Sequence, residues 1–345
     1  MEINDKESSL PIGSNQHYVP RFLLKNFSEN KVVYRYDKKT GRIEQKSIRS
    51  VCSQDDFYNL PLEKLCDNQS KIKNAVQKII KDIPKDAHFT CDKAITEIET
   101  KTGEIVKKVL AYKNLTVLND KEKFMLCLFT SLQMLRTSHH RNDIKTMMEA
   151  MAKKVKEFYD EGIGGSGSYE DWQEENIGRN FDISAKFMNI RKLGEEATNC
   201  AKILFLSKNM FLIDVLDEDL YISDCPVVFN NQNDFRPWGN IGLLVRGIEI
   251  YLPLSSHIIL AYHCKSLLPP FKLLARCTED FYKRCEAVEN GGCIYERDEE
   301  HFFNYLQVCY SDRYLVAKHN NFDYAENLIR QDSRFRECTA KLVVR

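Results

Sequence analysis

The period of the apolar positions changes along the chain, and each change predicts a different kind of element. Behind Pro20, which suits a first helical position, Phe22, Leu23 and Phe27 predict a short helix over Val19–Phe27. Lys31–Asp37 and Arg42–Ser47 are β-rich runs joined by Lys38-Lys39-Thr40-Gly41, a hairpin turn in which Gly41 supplies positive φ. Asp55–Leu60 reads as another short strand, ended by Pro61. From Leu62 the spacing turns helical, with Leu65, Ile72, Ala75, Val76, Ile79 and Ile80 marking a helix that stops before Pro84. Asn119 or Asp120 caps the next helix, which runs to about Thr137 with Glu122 near its first turn. It is apolar nearly all round, and so is expected to be the central buried helix.

Ile144, Met147, Met148, Met151, Val155 and Phe158 then recur at three- and four-residue spacing, an amphipathic helix with a charged outer face. Residues 162–168 form a flexible loop, Asp171-Trp172 opens a further helix, and after Ala185 another carries Met188, Ile190, Leu193, Ala197, Ala201 and Leu204. Beyond Asn209 the texture is β: Met210–Val215, Leu220–Ser223, Val227–Phe229, Ile248–Leu252 and Ile258–Tyr262. Helical spacing returns over Glu279–Val288, Asp298–Cys309 and Asp323–Ile329, with a strand at Tyr314–Ala317. The pattern predicts the α+β class: a central buried helical bundle with short antiparallel β elements in the N-terminal and C-terminal parts. No repeat or linker stands out, so residues 1–15 are read as a disordered lead-in and 16–345 as a single α+β domain.

Composition narrows the classes. Apolar residues make up 43% of the 345 positions, enough for a substantial core. Lys+Arg and Asp+Glu both total 50, so no global field draws in nucleic acid, which is left only a local basic patch. No run approaches the ~20 apolar residues that span a bilayer, and the polar N-terminus lacks the apolar core of a signal peptide. The twelve cysteines are scattered without any C-x-x-C, which fits free buried thiols in a reducing, cytoplasmic setting. Cys277, Cys285 and Cys293 are evenly spaced but lack the close pairs of a structural zinc site.

The motifs that carry chemistry are few. Gly162-Ile163-Gly164-Gly165-Ser166-Gly167 matches G-x-G-x-x-G literally, yet a charged helix precedes it where the dinucleotide fingerprint needs a strand, so it reads as a loop. Asp224 with Glu249 resembles the acid pair of a metal-dependent nuclease, but no lysine stands two places after Glu249. Gln133, Arg136 and His140 share one helical face, and a guanidinium on an apolar helix needs an acceptor. They are either a structural brace or the lining of an anion-binding pocket. Asp224 ends a strand in Ser223-Asp224-Cys225-Pro226, as a turn cap or as a displayed carboxylate. His17 and Arg21 make the first helix entry unusually polar. His88, His257, His263, His301 and His319 show no metal-ligand spacing.

Gln16-His17-Tyr18-Val19-Pro20-Arg21-Phe22-Leu23-Leu24-Lys25-Asn26-Phe27 resembles the opening signature of a bacterial family, domain of unknown function 4238. Later stretches are similar to others of that family: Asp55-Asp56-Phe57-Tyr58, Gln133–Arg136 with Thr137, Ile222–Val227, Tyr251-Leu252-Pro253-Leu254-Ser255, Asn304-Tyr305-Leu306-Gln307 and Ser311-Asp312-Arg313-Tyr314. Cys225 stands where the family tends to have Asn, and Thr137-Ser138 where it has Thr-Pro. The resemblance implies a soluble bacterial protein and supplies no substrate, metal, cofactor or partner. Two functional readings follow. One is a hydrolase acting on a phosphodiester or nucleic acid in a defence-type system, with His17 as general acid/base, Arg21, Gln133, Arg136 and His140 holding an anion, and Asp224 orienting His17 or binding metal. The other is a non-catalytic binding or regulatory module, a sensor or toxin-like partner, in which the same residues form a structural network.

Overall fold

In the computed structural model, which describes residues 15–78, 87–231, 233, 241–267 and 278–339, the hairpin forms as its turn chemistry requires. Strands β2 (Val32–Asp37) and β3 (Arg42–Ser47) pair antiparallel with Asp37 opposite Arg42, and Gly41 takes φ +72°. Short strands β1 (Asn15–His17), β4 (Ser53–Asp55), β5 (Asn59–Pro61) and β6 (His88–Thr90) surround them in sequence. The helices of the first half are α1 (Arg21–Lys25), α2 (Leu62–Asn68), α3 (Ser70–Gln77), α4 (Asp92–Tyr112), α5 (Asp120–Leu135), α6 (Ser138–Asp160), α7 (Tyr169–Asn176) and α8 (Phe181–Ser207). Strands β7 (Lys208–Val215), β8 (Ile222–Ser223), β9 (Val228–Asn230), β10 (Glu249–Pro253) and β11 (Ile258–Cys264) follow. The chain closes with α9 (Glu279–Asn290), β12 (Cys293–Glu296), α10 (Phe302–Tyr310), β13 (Tyr314–Ala317) and α11 (Asp323–Gln331).

These elements make an α+β protein whose residues gather into two interleaved units. Unit 1 takes Met1–Gln16, Gln54–Glu97 and Leu135–Glu195; unit 2 takes His17–Ser53, Ile98–Met134 and Glu196–Arg345. Unit 1 is mainly helical. Leu60, Leu62, Leu65 and Ile190 form one buried cluster, and Met148, Ala152, Ile177 and Ala185 another, with Trp172 packed beside it.

Unit 2 is built on two sheets. Four strands run in the order β3-β2-β13-β8, and five in the order β12-β7-β11-β10-β9. Pairing is antiparallel except at β12, which runs parallel to β7. One face of the larger sheet meets α5, where Thr130 gives its proton to the Leu126 carbonyl at 2.9 Å and accepts from the Tyr262 hydroxyl at 2.9 Å. Leu126, Cys127, Phe129, Leu132 and Gln133 are buried along α5, as its all-round apolar character predicts. On the smaller sheet, Tyr36, Tyr221, Leu315 and Phe322 close a core under α11. Lys38, fully buried after the hairpin strand, donates to the carbonyls of Val308 (2.7 Å), Ser311 (2.8 Å) and Glu337 (3.3 Å). A cation there complements the negative end of α10.

Several elements differ from the sequence pattern for identifiable reasons. The strand expected over Asp55–Leu60 is cut by Asp56, whose φ of +52° makes a turn between β4 and β5. The helix from Leu62 breaks at Gln69, which is extended at φ −144°. Helix α4 was not anticipated, because its interior is dense in β-branched residues and holds Gly103, both weak helix formers. On α6 only Met148 and Ala152 are buried, while Met147, Met151 and Phe158 stay 52%, 48% and 42% exposed. The face covered within unit 1 is therefore narrower than the apolar stripe. The helix from Asp298 begins instead at Phe302, with the Asp298 carboxylate accepting from the N–H groups of Phe302 (2.7 Å) and Phe303 (2.9 Å). The lead-in up to Ser14, Ile79 to Pro84 and Cys277 lie outside the described residues.

Candidate functional site

Segments far apart in sequence are bonded to one another at the stretches singled out above. Gln16 accepts the Tyr58 N–H at 2.6 Å, and the Gln133 amide donates to the Tyr18 carbonyl at 2.7 Å. The Asn26 amide donates to the Leu254 carbonyl at 2.9 Å. Asn304 accepts the Tyr221 N–H (2.7 Å); Gln307 accepts the Ser223 N–H (3.0 Å) and donates to the Pro226 carbonyl (3.0 Å). Asn304 and Gln307 sit three apart on α10 and so face the same strand end.

Asp224 is the focus of that network. Its buried carboxylate accepts three successive backbone N–H groups, from Asp312 (2.9 Å), Arg313 (2.8 Å) and Tyr314 (2.8 Å). Burial pushes its pKa up to about 6, against the pull of those three bonds. Tyr18 is buried close enough to Asp224 and Cys52 that their charges add to burial in raising its hydroxyl pKa. Every acceptor direction that Asp224 offers to this turn serves the backbone, in the manner of a cap.

The remaining sequence candidates have local roles of their own. His17 donates from Nε2 to the Ile48 carbonyl at 3.0 Å, which places the proton on that nitrogen. Arg21 is exposed at the start of α1. Gln133 is fully buried on α5. Arg136 is fully buried in the turn after α5, and the His140 N–H is capped by the Thr137 hydroxyl at 3.1 Å at the start of α6. His17, Arg21, Gln133 and Asp224 belong to unit 2, Arg136 and His140 to unit 1.

A concavity of unit 2 lined by titratable side chains lies elsewhere, on one face of the five-stranded sheet. Glu249 and Tyr251 alternate onto one face of β10, and His263 on β11 is the direct cross-strand partner of Glu249. Phe211 and Ile213 of β7 and Ile294 of β12 continue the floor. Helix α9 supplies Phe281, Arg284 and Cys285, and α10 supplies Phe302 and Phe303, enclosing about 450 Å³. Arg284 pairs with Glu296 across the mouth, and Arg297 stands exposed beside it.

The floor carries a hydrogen-bonded chain. The Tyr251 hydroxyl lies 3.0 Å from His263 Nε2 and also bonds the Glu249 carboxylate, which receives a further bond from the Asn230 amide. Burial raises the Glu249 pKa although both bonds lower it. Burial, aided by the charge of Arg284, brings His263 down to about 4, so its imidazole is neutral near pH 7. A phenol has one proton, which fixes two arrangements. With Glu249 ionised, His263 Nε2–H donates to Tyr251, which donates to the carboxylate. With Glu249 protonated, each bond reverses and the imidazole proton sits on Nδ1. Either protonation state of the carboxyl leaves every hydrogen bond of the chain made.

Sequence reasoning noticed Glu249 only as half of a failed pair and set His263 aside. The available signal was a carboxylate inside Ile248–Leu252, a run otherwise apolar and wholly buried. Among the described residues no group of three or more His, Cys, Asp or Glu side chains could hold a metal ion. No helix among them is long and apolar enough to cross a membrane.

A family model described as "Protein of unknown function (DUF4238)" matches residues 15–309. No curated protein and no solved structure matches the chain.

Two outcomes follow. Asp224→Ala leaves three backbone N–H groups without their acceptor in a half-buried turn, and is expected to lower the unfolding free energy by roughly 3–5 kcal/mol in urea titration; a loss below ~1 kcal/mol contradicts the bracing role. For His263 the native pKa lies below the unfolded one, so its contribution is complete above about pH 6.5 and is lost as pH falls towards 4. Wild-type protein is expected to lose roughly 2–3 kcal/mol more than His263→Phe over that interval, measured by pH-dependent urea melts.

Proposed function

The chain belongs to the family described as protein of unknown function (DUF4238), and for its unit 2 we propose hydrolysis of a small anionic ester of nucleotide size by acid–base catalysis centred on Glu249. The observation that carries this reading is the Glu249–Tyr251–His263 chain on the floor of a cavity of about 450 Å³. A carboxyl whose pKa is raised by burial holds its proton nearer neutral pH, which is what a general acid needs. Phe281 and Phe302 offer flat apolar walls for a ring, and Arg297, beside the Arg284–Glu296 pair, places positive charge at the mouth for an acidic group.

In the proposed reaction a water oxygen forms the new bond to the ester centre while the bond to the leaving oxygen breaks. Glu249 gives its proton to that leaving oxygen. The proton released by the water passes to solvent, and the Glu249 carboxylate takes one up from solvent while Tyr251 holds its position, restoring the starting state. His17, Gln133 and Asp224 then support the fold, and Arg21 takes no part.

A binding module without chemistry is the second reading, favoured by the aromatic character of the cavity walls. One experiment separates the two. Full-length protein is incubated with a panel of nucleoside phosphates and aryl phosphate esters, and product is followed chromatographically. Glu249→Gln is expected to cut turnover at least 100-fold with its melting temperature nearly unchanged, and Tyr251→Phe about tenfold. Full activity in Glu249→Gln overturns the proposal; binding without turnover in wild type and variant alike supports the second reading.

A further inference from the structure

Unit 1 holds two half-buried cations that bond the carbonyls of adjacent residues, Asp56 and Phe57. Arg141, in the first turn of α6, donates from Nη2 to the Phe57 carbonyl at 3.0 Å and towards the Asn189 amide oxygen at 3.4 Å. Its guanidinium carbon sits 4.0 Å from the centre of the Phe57 ring. Its Nε is buried and has no hydrogen-bond partner. Lys186, near the start of α8, donates to the Asp56 carbonyl at 2.7 Å. Burial and then the charge of Arg141 bring the Lys186 ammonium down to about 8, with Lys64 acting the same way and the Asp56 carboxylate opposing them.

The partners of these cations are neutral oxygens. Among the described residues neither Arg141 nor Lys186 makes an ion pair, and the Asp56 carboxylate adds an attraction for the Lys186 ammonium. Holding the 56–57 turn uses one ammonium proton and one guanidinium nitrogen. A lysine has three donors and an arginine five, so donors other than the buried Nε remain. Two like charges half out of solvent without a counter-ion are costly unless an anion compensates them.

We propose that unit 1 carries an oxyanion site, bound by Lys186 Nζ and the Arg141 guanidinium beside the 56–57 turn, whose ligand is a tetrahedral dianion such as a phosphate group. Asn189, 2% exposed, fixes the geometry by accepting from Arg141 while its own amide donates to the Leu135 carbonyl at 2.9 Å. Arginine suits the fork-like recognition of such an anion, and lysine contributes the point charge. The site is independent of the cavity of unit 2.

Sulfate is the probe, because its charge is constant across the useful pH range, with inorganic phosphate and a nucleoside monophosphate as parallel arms. Calorimetric titration of the full chain at pH 7 and matched ionic strength is expected to show one saturable site absent with chloride. Lys186→Gln is expected to weaken sulfate at least tenfold and Lys186→Arg to retain it. In wild type, sulfate affinity is expected to fall about tenfold between pH 7 and pH 9 as the ammonium discharges. This arm needs no variant to fold. Phosphate and nucleotide binding equally well assigns the site to the phosphate group alone; tighter nucleotide binding assigns it to the monoester. Sulfate no better than chloride, or affinity unmoved in Lys186→Gln and by pH, overturns the proposal.

Discussion

The carboxylate of Asp224 is the constraint on which the architecture of unit 2 turns. Three successive N–H groups at residues 312–314 precede β13, and a turn cannot bury them without an acceptor. Asp224 meets all three, and Asn304 and Gln307 of α10 bind the strand on either side of it. That arrangement fixes where α10 lies. Lys38 closes the other end of the same helix, and Asp298 caps its beginning. Because Phe302 and Phe303 on α10 wall the cavity, the bracing and the chemistry are linked through one helix.

The proposed reaction rests on the same burial that gives the sheet its stability. Glu249 and His263 face each other across β10 and β11, and the low-polarity surroundings disfavour charge on both. Tyr251 keeps either protonation state of the pair satisfied, since a phenol donates and accepts at once. A carboxylate on that floor without such a partner would be strongly unfavourable. The cost of burying the group and its usefulness as a proton carrier are therefore one property.

Much of this was legible in the sequence where local chemistry decides the outcome. The β2–β3 hairpin followed from Gly41, a cap at Asn119 or Asp120 from their residue types, with Asn119 filling it, and the central helix from the apolar character of α5. The resemblance signature also pointed correctly to segments that matter, since Gln16, Tyr18 and Asn26 each bond another of the similar stretches. What it could not convey was the nature of their importance. A polar residue in an apolar element reads the same whether it braces a turn or faces a cavity, and only the partners tell them apart. Asp224 has backbone donors on every side, whereas Glu249 meets a phenol and, through it, an imidazole. Those contacts come from β10 and β11 register, which depends on long-range pairing rather than on any local pattern. Helix α4 escaped notice for the opposite reason, its local propensities being overridden by tertiary packing.

The central claim is that Glu249, Tyr251 and His263 share mobile protons while the imidazole itself stays neutral. Nitrogen-15 spectroscopy of the histidine side chains through the ionisation of Glu249 tests it directly. His263 is expected to remain uncharged throughout, with its proton passing from Nδ1 at the acid end to Nε2 as Glu249 ionises. An imidazolium at His263 titrating near its ordinary pKa, about 6.5, would contradict the account.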